Sequence, residues 1–99
     1  MNDDIVATTR LRVGEAVHAR PIDDIFVLLD LRAGNYFGLD EVGALVWQKV
    51  RDGMSIGEIA EDLAGEFPVE KEVLVRDIVA FASELVARGL CIPDVPFPR

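Results

Sequence analysis

The chain has 99 residues, enough for one domain that buries about two-thirds of its unfolded surface and too few for two. Hydrophobic residues make up 51% and charged residues 28%, which excludes a wholly disordered chain, while a net charge of −8 opposes nucleic acid and anionic membranes as partners. A single cysteine, no signal-peptide pattern in the first ten residues and no long apolar run predict a cytoplasmic, soluble protein.

The first half of the chain has the alternating pattern of β-strands. Residues 1–8 show no period and predict a flexible arm. Ile25–Leu31 is apolar on both faces and should be central in its sheet, and Gly34 suits a hairpin connection because glycine reaches positive φ at little cost. The predicted strands are Thr9–Val13, Ala16–Arg20, Ile25–Leu31 and Tyr36–Leu39.

The second half has a helical period. The first helix should begin after an N-cap at Asp40 and end near Arg51. Ser55 and Glu58 have the spacing of a capping box, which predicts a second helix that Pro68 ends. The third helix is predicted from Glu70 to Arg88, before Gly89, and residues 93–99 form a proline-rich tail.

Strands followed by helices predict an α+β domain over residues 9–92. We expect an N-terminal three-stranded antiparallel sheet, formed by residues 16–20, 25–31 and 35–39, packed against three helices. This arrangement has the shape of a winged helix-turn-helix.

Few side chains in the sequence suit catalysis. His18 and Cys91 lie far apart in strand-like contexts, and neither has an evident partner, so we interpret them as a solvated strand residue and a small core residue. The sequence contains no phosphate-binding loop, paired-cysteine motif or other named catalytic or cofactor motif. We therefore expect no catalytic residue, no metal, no cofactor and no enzymatic activity.

The winged-helix shape makes DNA binding the competing function, but the charges oppose it. The predicted second helix has no lysine or arginine, and the third helix has a net charge of −1. Such helices would repel phosphates. A regulator or toxin module that uses the same strand edge is a further alternative.

The sequence also predicts a place for a peptide. The last strand of the meander is terminal, and only Asn35 and Gly38 protect its edge from pairing with another chain. An open strand edge beside an apolar helix face is a known kind of peptide site. The competing interpretation is that the third helix or a second protomer covers this edge.

The third helix carries two apolar stripes about 100° apart. One stripe, assigned to the core, contains Leu74, Ile78, Phe81 and Leu85. The other, containing Val75, Val79, Ala82 and Val86, either packs in the core, under the sheet or against the first helix, or forms a wall beside the strand edge. The pattern alone does not decide between these two arrangements.

The run VLLDLRAGNYFGLDEVGALVWQKVRDGMSIGEIAEDL, followed by DIVAFASELVARGL, resembles the PqqD-like family. The resemblance covers residues 16–92, and its most telling parts are Leu29-Asp30, Gly34-x-Tyr36-Phe37-x-Leu39, Gly43 with Trp47, Asp52-Gly53, and Leu85 through Leu90. Leu31, Arg32 and Ala33 stand where PqqD itself has a Pro-Glu-Gly-like turn. This departure favours the stand-alone members found in lasso peptide gene clusters over coenzyme synthesis.

The resemblance implies a RiPP recognition element, a non-catalytic adaptor that binds the leader segment of a ribosomally made precursor peptide. In this family the leader adds as an antiparallel strand to the third strand of the sheet, in a groove walled by the third helix. The implied partners are the precursor leader, a separate leader peptidase and, as a further candidate, a cyclase. The implied peptide-binding residues are Gly34, Asn35, Tyr36, Phe37 and Gly38 on the strand, and Val75, Val79, Ala82 and Val86 on the helix, with Arg76 at the rim.

Overall fold

A computed structural model describes residues 5–94 and shows two antiparallel sheets and three helices. The strands are β1 (Arg10–Val13), β2 (Val17–Ile22), β3 (Ile25–Asp30), β4 (Asn35–Leu39) and β5 (Cys91–Asp94), and the helices are α1 (Glu41–Arg51), α2 (Ile56–Ala64) and α3 (Lys71–Ala87). Strands β2, β3 and β4 form a three-stranded meander, and β1 pairs with β5. The predicted α+β class is confirmed, and residues 17–39 form a three-stranded antiparallel sheet before the helices. This sheet is not N-terminal as predicted, because β1 precedes it and pairs with β5 in a second sheet.

The hairpin between β2 and β3 is tighter than the sequence suggested. β2 continues through Pro21 to Ile22, and the turn is formed by Asp23 and Asp24 alone. Asp23 has a φ of 55°, which two-residue hairpin turns require and aspartate tolerates. Proline is accepted here because β2 is an edge strand, where a missing backbone N–H costs no ladder bond.

The connection between β3 and β4 fixes where β4 begins. The Asp30 carboxylate accepts hydrogen bonds from the N–H groups of Arg32 and Ala33 at 3.1 and 3.2 Å. The Gly34 N–H donates to the Asp30 carbonyl at 2.8 Å, and Gly34 has a φ of 78°, which supports the prediction of a glycine turn here.

The helix starts follow the predicted caps. The Asp40 carboxylate accepts from the Gly43 N–H at 2.7 Å, and Ser55 and Glu58 form the reciprocal capping box. α2 ends at Ala64 with Gly65 as its C-cap, which is earlier than the end predicted from Pro68.

The chain before β1 is held against the start of α2. Ile5 is buried in the core, and the N–H groups of Ile56 and Gly57 donate to the carbonyls of Thr9 and Ala7 at 3.0 and 2.7 Å. These helix-start donors have no partner within the helix, so the preceding segment satisfies them. Residues 5–8 of the predicted arm therefore lie against the start of α2, and residues 1–4 lie outside the described part.

The end of the described chain lies in β5. Pro93 and Asp94 belong to β5 and face Leu11 and Arg10 of β1, so the predicted tail begins inside a strand. The remainder of that tail, residues 95–99, lies outside the described residues.

The core lies between the three helices and the inner face of the meander. Its most completely buried large side chains are Trp47, Leu28, Ile56, Ile59, Leu63, Leu85 and Cys91. α3 packs against α2 and runs past β4, which leaves a groove between the helix and the terminal strand.

Candidate peptide-binding site

The outer edge of β4 is unpaired in the described part of the chain. The strand order of the meander is β2-β3-β4, so β4 has a neighbour on one side only. Tyr36, near its middle, is 76% exposed, and Gly38 is also exposed. Neither α3 nor β5 pairs with this edge.

The register of the meander determines which backbone groups of β4 face outward. The Leu31 N–H donates to the Ala16 carbonyl at 2.9 Å, which makes these two residues a hydrogen-bonded pair. Bonded and non-bonded pairs alternate along an antiparallel ladder, so the odd-numbered residues of β3 bond to β2. The even-numbered residues of β3 therefore form their bonds with β4. Their partners in β4 are Asn35, Phe37 and Leu39. The N–H and C=O groups of Tyr36 and Gly38 therefore point away from the sheet, where another strand could accept and donate hydrogen bonds.

A largely apolar cavity of about 300 Å³ adjoins this edge. Phe37, Gly38 and Leu39 line it from β4, and Leu74, Asp77, Ile78 and Phe81 line it from α3. At roughly 100° per residue, these four α3 residues fall within a strip about 100° wide on the helix surface. This strip is the flank of α3 that faces β4.

A second cavity, of about 290 Å³, lies at the hairpin end of β4 and includes Asn35, Tyr36 and Arg88. The guanidinium carbon of Arg88 lies 4.7 Å from the centroid of the Phe37 ring, and Arg88 donates twice to Glu84 at 3.1 and 3.2 Å. This stacking is a cation–π contact. Phe37 lines both cavities, and Arg88 stacks on its ring, so Arg88 lies at the boundary between the two cavities.

Comparison with known proteins agrees with this geometry. The family model described as coenzyme PQQ synthesis protein D (PqqD) matches residues 26–90. The chain belongs to the PqqD family. Residues 26–90 include β4, the three helices and the whole of the groove. None of the curated proteins matches the chain.

Two solved structures resemble this PqqD-family chain over nearly all of their own length. One is TbiB1 in complex with the TbiA(β) leader peptide, with a TM-score of 0.76, 32% identity, and coverage of 89% of this chain and 99% of the other. The other is lasso peptide synthetase B1 complexed with the leader peptide, with a TM-score of 0.80, 33% identity, and coverage of 85% of this chain and 99% of the other. The predicted resemblance to PqqD-like recognition elements is thereby confirmed.

The structure brings together the strand residues of the predicted site. Asn35, Tyr36, Phe37 and Gly38 lie on β4, and Gly34 lies in the turn just before it. Phe37 points toward the core and the cavity, whereas Tyr36 lies on the outer face of the sheet.

The predicted helix side is placed differently. Ala82 is 1% exposed and belongs to the core, while Val75, Val79 and Val86 pack against the core on the flank of α3 away from Phe81. None of the four lines either cavity beside β4, and neither does Arg76. The flank of α3 that lines the cavity beside β4 is thus the one with Asp77 and Phe81, and not the stripe that the resemblance implied.

Sequence reasoning placed none of these cavity-lining residues of α3 in the site. Leu74 and Phe81 were assigned to the core, where Leu74 is indeed buried and Phe81 packs partly exposed, and Asp77 and Arg88 were not assigned to the site. One signal was available, because Phe81 lies at the margin of the apolar arc next to Asp77, as a partly exposed groove residue would.

The charges of the helices do not support the DNA-binding alternative. α2 has no basic residue, and in α3 the basic Lys71 and Arg76 are outnumbered by Glu72, Asp77 and Glu84. Both solved structures in the comparison hold peptides.

The remaining candidate reactive groups lie outside the groove. Burial raises the pKa of the Cys91 thiol to about 12, so the sulfur stays protonated, and His18 is exposed on β2. Within residues 5–94, no three side chains from His, Cys, Asp and Glu are grouped to hold a metal ion. None of the helices described between residues 5 and 94 is both long enough and apolar enough to span a membrane.

Proposed function

We propose that this chain binds the leader segment of a ribosomally made precursor peptide as a fourth strand on β4. The observation that carries the proposal is the outward direction of the Tyr36 and Gly38 backbone groups beside an apolar cavity. Backbone hydrogen bonds along such an edge provide affinity, and the adjoining cavity selects side chains. Gly34 and Asn35 lie at the hairpin end of this edge, where the Gly34 N–H is bonded to the Asp30 carbonyl and Asn35 faces β3.

The proposed groove has a wall that differs from the one the sequence suggested. Leu74 and Phe81 offer apolar surface on α3, and Phe37 offers the facing surface from β4. A peptide strand added to β4 would direct every second side chain toward this cavity. Its remaining side chains would extend the outer face of the sheet beside Tyr36.

Two solved relatives support this function. TbiB1 and lasso peptide synthetase B1 are each complexed with a leader peptide, and each is covered over 99% of its length by the resemblance. This chain is 32 and 33% identical to these two proteins over that length, which supports a mode of peptide binding shared by all three.

We further propose that the chain is a non-catalytic adaptor of the lasso peptide type. It would deliver the bound precursor to a separate leader peptidase, with a cyclase as a further partner, and would need no cofactor. The protonated, buried thiol of Cys91 supports this role, since it offers no accessible nucleophile.

Residue-level amide exchange measured by NMR tests strand addition. With the TbiA(β) leader peptide as probe, the Tyr36 and Gly38 amides should exchange rapidly in the free protein and become protected in the complex. The Phe37 amide faces β3 and should be protected in both states, which makes it the internal control.

Two results would contradict the proposal. Protection of the Tyr36 and Gly38 amides without peptide would mean that the protein or a second copy already covers the edge. Binding of the peptide with no change at these two amides would place the peptide elsewhere.

A further inference from the structure

Two acidic residues line the otherwise apolar cavity of the groove: Asp40, whose carboxylate caps α1, and Asp77 on α3. Asp77 is exposed on α3, three residues after Leu74 and four residues before Phe81, and all three line the cavity. Residues at these spacings are neighbours on a helix surface. The Asp77 carboxylate therefore lies beside the apolar surface that a bound peptide would cover.

The charge of Asp77 is available to a ligand. In the described part of the chain its carboxylate takes part in no ion pair or hydrogen bond, whereas Glu84 is paired with Arg88 and Asp40 caps α1. Arg76 is the next residue but is rotated about 100° around the helix and does not line the cavity. The unpaired charge on the α3 wall of this cavity is thus acidic, since Arg88 beside Phe37 is paired with Glu84 and Arg76, which the resemblance had placed at the rim, does not line the cavity.

We propose that Asp77 makes the groove selective for leader segments with a lysine or arginine next to the apolar side chain that enters the cavity. This inference rests on the proposed function and specifies its ligand. The aliphatic stem of such a side chain would lie on Phe81 and Leu74, and its charged end would reach the carboxylate. An aspartate or glutamate at the same place would be repelled by Asp77 and by the net charge of −8.

A charge scan of the TbiA(β) leader peptide tests the proposal. Each position of the peptide is replaced in turn by lysine and by glutamate, and the affinity of every variant is measured by fluorescence anisotropy. For wild-type protein, one position should favour lysine over glutamate by about three- to tenfold at low salt. This preference should shrink in about 0.5 M NaCl, because exposed charges are screened there.

Variants of the protein identify the residue responsible. Asp77→Asn should remove the preference at that position, and Asp77→Lys should reverse it. Glu72→Lys is the matched control, since it makes the same change in charge on an exposed residue of α3 that does not line the cavity. It should keep the wild-type preference, and thermal melting should show all variants folded.

The outcomes separate this inference from the proposed function. If the peptides bind and their charge preferences are the same in wild-type, Asp77→Lys and Glu72→Lys proteins, the role of Asp77 is refuted while leader binding stands. If no peptide binds wild-type protein, the proposed function fails, and the role of Asp77 fails with it.

Discussion

Replacing Gly38 by proline tests the hydrogen bonds of the open edge. The Gly38 N–H points away from β3, so Gly38→Pro removes a donor that the folded protein does not use and that a bound peptide strand would use. Proline is tolerated at edge-strand positions of this kind, so the fold should survive with some loss of thermal stability from the restricted φ.

The expected loss of affinity follows from the unpaired acceptor. A peptide carbonyl left without its donor at the covered edge costs about 1–3 kcal/mol, which corresponds to roughly 5- to 150-fold weaker binding. Gly38→Ala is the matched control, because it keeps the N–H and its Cβ would have only Ile25 Cδ1 near it, at 4.0 Å. This variant should bind nearly as well as wild-type protein.

Titration of the TbiA(β) leader by fluorescence anisotropy gives the affinities, and thermal melting gives the stabilities. Measurements are made at a temperature where both variants are folded. Wild-type affinity in Gly38→Pro would refute strand addition at this position. Equal losses in Gly38→Pro and Gly38→Ala would mean that the added side chain, and not the missing donor, is responsible.

Two further predictions concern α3 and the cap of α2. Leu85 is fully buried, so Leu85→Ala should lower the free energy of unfolding by about 2–5 kcal/mol, whereas Phe81→Ala should mainly weaken leader binding; equal losses of stability in both variants would contradict the groove assignment. The pKa of Glu58 is lowered because its carboxylate accepts a hydrogen bond from the Ser55 backbone N–H, and nearby Arg10 lowers it further. The charged Glu58 carboxylate therefore stabilises the folded protein fully above the usual pKa of 4.5, and this stabilisation is lost as the pH falls through the lowered pKa. Acid-induced loss of stability, followed by melting between about pH 5 and pH 2, should therefore be smaller in Glu58→Gln than in wild-type protein, and equal pH dependence would contradict this role of the cap.

The sequence by itself determined most of the local structure and the open edge. Asp40 and the Ser55–Glu58 pair identified two helix starts, since capping depends on residues only three positions apart. Gly34 identified the hairpin before β4 because its positive φ is a local requirement. The order of strands then made β4 terminal, so the strand side of the proposed site followed from short-range signals.

Only the tertiary structure decided what lies opposite that edge. The broad apolar arc of α3 is compatible with several rotations about the helix axis, and packing against α2 and the sheet placed Phe81 and Asp77, instead of Val79 and Arg76, toward β4. The pairing of β1 with β5 likewise joins segments almost the whole chain apart, which no local pattern specifies. Local propensities fix each element, but the rotation of a helix and the pairing of distant strands depend on all the surfaces that must be buried together.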